Sequence, residues 1–117
     1  VMFGGTSPGG SGLVESWNGS AWSEESATFN TPRNVGGSAG TSTNAIYFGG
    51  EPAGNGTATE SWNGTSFTTL ASMANSKYAM ACNGTASAAL ATGGSNSAQN
   101  ATEEFSVAGA TKTFTTS

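Results

Sequence analysis

Histidine and aspartate are absent from these 117 residues, cysteine occurs once, and only three residues are Lys or Arg. Each shortage removes a class of function. General acid–base catalysis draws on His and on paired carboxylates, and a triad-type nucleophile needs a positioned base. With no His, and with Glu as the sole acid, neither is readily assembled, and the chain reads as non-enzymatic. A structural zinc site needs several Cys or His ligands, and Cys82 alone offers one. The cations are Arg33, Lys77 and Lys112, and a formal net charge of −4 argues against nucleic acid and against an anionic membrane surface. No apolar run is long enough for a helical span, no cofactor is expected, and no signal-peptide pattern opens the chain. The start at Val1 suggests a true N-terminus elsewhere, and a lone Cys82 makes no internal disulfide.

What is present is repetition. Glu15-Ser16-Trp17-Asn18-Gly19 returns as Glu60-Ser61-Trp62-Asn63-Gly64 after 45 residues, and Gly-Gly pairs begin at Gly4, Gly49 and Gly93. Periods near 45 residues belong to repeat architectures. Only 35% of residues are hydrophobic, but only 9% are charged and the aromatics recur at fixed places, which favours ordered β-structure from small residues over disorder. Residues 45–48 form an apolar run stopped by Gly-Gly, residues 58–62 alternate, and residues 66–70 read as a returning strand. Asn63-Gly64 between the last two predicts a tight type I′ turn. An earlier strand is expected over 35–39 with its turn in 40–44, and its counterpart over 79–82 with a turn at Asn83-Gly84. The expectation is four antiparallel strands per unit and no helical periodicity, an all-β chain of β-propeller blades.

The apolar strand ending in Gly-Gly, the later aromatic pairs Trp17/Trp22 and Trp62/Phe67, and the Thr31-Pro32-Arg33 linker with Lys77 in the same place one unit later resemble kelch repeats. The third unit departs, with Glu103-Glu104-Phe105-Ser106 in place of Glu-Ser-Trp-Asn-Gly and a longer hairpin to Phe114. The Ser/Thr/Gly-rich style is similar to kelch-like arrays of bacteriophage tail and virion proteins. That resemblance implies a partial blade over residues 1–29 and complete blades over 30–72 and 73–117, eleven strands or about 2.75 blades. Propellers have about four to eight blades, so the ring would be completed by other blades or by further copies of the chain. The implied role is a structural or adhesion module at a virion or extracellular surface, mediating assembly or receptor contact. Alternatives are a glycan-binding, lectin-like propeller and, further off, a fragment of a kelch-type copper oxidase.

Candidate partner-binding positions lie in the least repetitive loops: Ser7, Pro8, Ser11, Glu51, Asn55, Ser95, Asn96, Gln99 and Asn100. Variable loops on a rigid scaffold are a usual binding layout, and partners here would be protein or a cell-surface glycan. Trp17, Trp22, Trp62, Phe67 and Phe105 are expected to pack between blades. Glu15, Glu60 and Glu103 are expected to accept hydrogen bonds or pair with Arg33 or Lys77 rather than bind calcium. Asn18, Asn55, Asn63, Asn83 and Asn100 head Asn-X-Ser/Thr sequons, three of them read as Asn-Gly turns without any need for a glycan. Cys82 is expected to be a small buried thiol.

Overall fold

The computed structural model describes residues 1–4, 12–95, 100–106 and 111–115. These residues form eleven strands in three antiparallel sheets and one short 3₁₀ turn at Ala53–Asn55. The first sheet holds β1 (Met2–Phe3), β2 (Val14–Trp17) and β3 (Trp22–Glu24). The second holds β4 (Gly37–Thr41), β5 (Asn44–Phe48), β6 (Thr59–Trp62) and β7 (Phe67–Thr69). The third holds β8 (Ala81–Thr85), β9 (Ala88–Thr92), β10 (Ala101–Ser106) and β11 (Thr111–Thr115). Each sheet is a meander whose strands follow one another in sequence, so every pairing is local.

The apolar residues of β5 drive the second sheet. Ile46 and Phe48 are buried with Met73, Ala89, Ala91 and Phe105 in a cluster shared with the third sheet. Tyr47 points the other way, as period-2 alternation requires, and is buried with Val14 and Phe29. Beyond β5 the chain must turn sharply and let the next linker pass. Gly49 lies at φ 67°, and a Cβ there would sit 2.6 Å from the Lys77 carbonyl, so only glycine fits. Gly50 N–H donates to that carbonyl at 2.8 Å, tying the second sheet to the linker of the third.

The first strands of the second and third sheets differ from the sequence expectation. They begin two residues later, at Gly37 and Ala81, because Val35 and Ala79 adopt left-handed φ values of 55° and 53° and cannot extend a strand. Asn83-Gly84 is not a turn but lies inside β8, where Gly84 pairs with Ala89. The actual turns fall at Ser42-Thr43 and Ala86-Ser87, and each is closed by a threonine hydroxyl. Thr41 Oγ1 accepts from Asn44 N–H and Thr85 Oγ1 from Ala88 N–H, both at 3.1 Å. Asn63-Gly64 does turn the chain, but within a four-residue loop between Trp62 and Phe67 rather than a type I′ pair. Only Gly64 needs positive φ, and Asn63 Oδ1 accepts from Thr65 and Ser66 N–H at 2.9 Å. Asn18-Gly19 repeats this construction between Trp17 and Trp22.

Candidate functional site

The most chemically loaded places in the fold are two buried clasps. The linker ahead of β4 turns Arg33 under the second sheet, where it and Glu60 of β6 are both fully buried and ion-paired through Nη1 and Oε2. The remaining guanidinium hydrogens go to the carbonyls of Gly49, Thr31, Tyr47 and Ala58, at 2.8, 2.8, 3.2 and 3.5 Å. The plate also lies 4.8 Å from the Tyr47 ring centroid and 5.4 Å from that of Phe29, cation–π distances. Glu60 Oε1 accepts from Asn30 N–H at 2.7 Å, so the clasp joins a linker, its own sheet and the segment leaving the first sheet. The third sheet repeats the device. Lys77 Nζ lies 3.8 Å from Glu103 Oε2 and donates to the Ala101 carbonyl, while Glu103 Oε1 accepts from Ala74 N–H at 2.6 Å. Buried charges persist only when paired and hydrogen-bonded, and these are. Glu60 and Glu103 are therefore spoken for as structural groups, not as calcium ligands.

Glu15, at the same place in the first sheet, is partly exposed, and no cation reaches it among the described residues. Its cross-strand partner is another acid, Glu24, where Glu60 faces Thr69.

The aromatics divide the same way. Trp62 is 2% exposed, its indole N–H donating to the Ser42 carbonyl at 3.0 Å and its ring meeting Phe3 and Phe67 at 6.4 and 4.9 Å. Phe105 is buried as well. Trp17 and Trp22 are not packed between sheets as expected. They are 47% and 53% exposed and touch each other at 5.6 Å. The reason is geometric: Trp62 is covered by the β4–β5 turn and by Phe3 of the preceding sheet, and the described residues supply neither to Trp17. In the third sheet Thr111, not an aromatic, pairs with Phe105.

Of the loop candidates, Ser7, Pro8, Ser11, Asn96 and Gln99 lie outside the described residues. Glu51 is bound by backbone to Asn34, with N–O distances of 2.9 and 2.8 Å, and Ser95 N–H donates to Tyr78 O at 2.8 Å, the equivalent bridge one unit later. Asn55 Nδ2 reaches the Pro32 carbonyl at 3.4 Å, and Asn100 is exposed just ahead of β10. These four are not gathered into one pocket; the described loops lean on the linkers. Asn18 and Asn63 are exposed at turns, whereas Asn83 is a strand residue.

Burial pushes the Cys82 thiol up to about 11, so at neutral pH it is a packed thiol and not a nucleophile. Burial likewise raises Tyr47, against the opposing effect of the Gly36 N–H that donates to its hydroxyl at 3.0 Å. Among the described residues no three of Cys and Glu converge in a metal-binding group. The cavity between the second and third sheets, lined by Phe48, Met73 and Phe105, measures about 10 Å³, the size of one water. Sequence reasoning did not anticipate the left-handed Val35 and Ala79, for which β-branched Val carries no signal, or the groove beside β1 that Val35 helps to line. No family model matches the chain, and a search of curated proteins finds no match.

Proposed function

We propose that the chain is a non-enzymatic structural or adhesion module, a set of kelch-like propeller blades from a virion or extracellular surface protein, acting in assembly or receptor contact. One observation carries this reading: the linker cation and the third-strand glutamate form the same buried clasp twice, at Arg33–Glu60 and Lys77–Glu103. A device repeated in the second and third sheets, with its charges consumed internally, serves architecture and leaves little for catalysis. The close approach of β4 and β8, where a Cβ at Gly37 would lie 2.0 Å from Cys82 Sγ, fits inner strands gathered toward an axis. The ring would be completed by other blades or by copies of the chain. Light scattering with electron microscopy tests this: discrete ring-shaped assemblies are expected, and a stable, folded monomer at all concentrations counts against it.

Glycan binding is the second reading, favoured by the exposed Trp17–Trp22 pair, since aromatic faces stack on sugars. A glycan array with Trp22→Ala alongside the parent chain separates the two, because only the lectin loses signal.

A further inference from the structure

The junction of the first and second sheets and that of the second and third use matching positions, filled differently. Val14 pairs with Phe3 in the first sheet as Thr59 pairs with Phe48 in the second. Tyr47 stands opposite Glu60 as Ala91 stands opposite Glu103. Phe29 N–H donates to the Gly12 carbonyl as Met73 N–H donates to that of Thr57. At the first junction Phe29 and Tyr47 stack at 4.7 Å, with the Arg33 guanidinium over both rings and Val14 buried beside them. At the second, Met73, Ala91 and Lys77 hold the places of Phe29, Tyr47 and Arg33, and each brings less bulk. Thr59, in the place of Val14, brings a hydroxyl.

The smaller side chains leave a cavity of about 10 Å³ between Thr59 and Glu103, walled otherwise by the buried Phe48, Met73, Ala91 and Phe105. One water molecule needs about that much room. Thr59 is 1% exposed, and its hydroxyl has no hydrogen-bond partner among the described residues. Left so, the hydroxyl would cost stability that a valine would not. Across the cavity, Glu103 Oε1 accepts from Ala74 N–H at 2.6 Å, and Oε2 lies 3.8 Å from Lys77 Nζ, too far for a direct hydrogen bond. A carboxylate oxygen accepts more than one hydrogen bond, so Glu103 offers an acceptor opposite the Thr59 donor.

We propose that this cavity is a binding site for one water molecule, held between the Thr59 hydroxyl and the Glu103 carboxylate. The hydroxyl donates to the water oxygen and the water donates to the carboxylate, which joins β6 of the second sheet to the clasp of the third. The ligand is neutral rather than a cation, because Lys77 already supplies the positive charge at Glu103 and the remaining walls are apolar. The first junction is filled by two rings and a guanidinium, and with Val14 it has no hydroxyl to satisfy.

The test reads the water and the stability of the full chain. A high-resolution crystal structure should show a water peak within hydrogen-bond distance of both Thr59 Oγ1 and the Glu103 carboxylate. Thr59→Ser keeps the hydroxyl and should keep the peak; Thr59→Val should lose it. Urea unfolding gives a second readout, with opposite signs for a wet and a dry cavity. With the water held, Thr59→Val takes away its donor and should raise the unfolded fraction about fivefold. In a dry cavity the same change removes an unpaired buried hydroxyl and lowers the unfolded fraction instead. The proposal is overturned by a parent structure without the peak, by a peak that survives Thr59→Val, or by a Thr59→Val chain no less stable than the parent.

Discussion

The first and second sheets carry the same five residues, Glu-Ser-Trp-Asn-Gly, on the same strand and around the same Asn-capped turn, yet those residues live in different environments. In the second sheet the glutamate is ion-paired out of solvent and the tryptophan is enclosed; in the first, the glutamate faces Glu24 and the tryptophan stands half in water. Sequence identity at a repeat position thus sets strand and turn but not burial. Burial comes from the neighbours: the linker cation, the β4–β5 turn and Phe3. This is the nearest-neighbour character of repeat proteins seen at single-residue scale.

The largest expected effect comes from breaking the clasp of the second sheet. Arg33→Ala leaves Glu60 buried without its cation and should cost about 3–5 kcal/mol in urea unfolding, as truncating a buried pair does. A cost under about 1 kcal/mol would mean that water reaches Glu60 and that the two sheets differ less than described. Next comes Gly40→Ala. Gly40 lies at φ 121° with the Asn44 carbonyl 2.4 Å from where a Cβ would be, so a loss of about 1–3 kcal/mol is expected, read from the same unfolding curves.

A smaller effect should appear with pH at the junction of the second and third sheets. The Cys82 thiol is raised from its ordinary 9.0 to about 11 by burial. The unfolded chain then loses that proton first, so stability is whole below pH 9 and declines from there to about 11. Urea midpoints measured across that window should fall less in Cys82→Ala than in the parent. The smallest effect belongs to Glu15→Gln, expected to stay within about 0.5 kcal/mol because the carboxylate has no cation to lose among the described residues.

Much of this architecture was legible from residue order. Gly4, Gly49 and Gly93 marked the ends of β1, β5 and β9 because each takes a left-handed φ that turns the chain, and Gly49 also admits the next linker at Lys77. Glu-Ser-Trp marked β2 and β6 because alternation and the Asn-Gly that follows agree. The first strands were misplaced for a physical reason. Gly40 and Gly84 look like turn glycines, but they hold positive φ inside a strand, one residue ahead of a threonine that closes the turn. Val35 and Ala79 give no warning of a left-handed backbone, since neither type favours it. The exposure of Trp17 and Trp22 could not be read from their own segment, because what covers Trp62 lies elsewhere in the chain.

The central claim is that neighbours, not the repeated motif, decide burial, and one matched pair of variants tests it. Trp62→Ala and Trp17→Ala remove the same side chain from the same motif position, and urea unfolding of both reads the difference directly. The account predicts a loss of about 3–5 kcal/mol for Trp62→Ala and under about 1 kcal/mol for Trp17→Ala. Equal losses would contradict it.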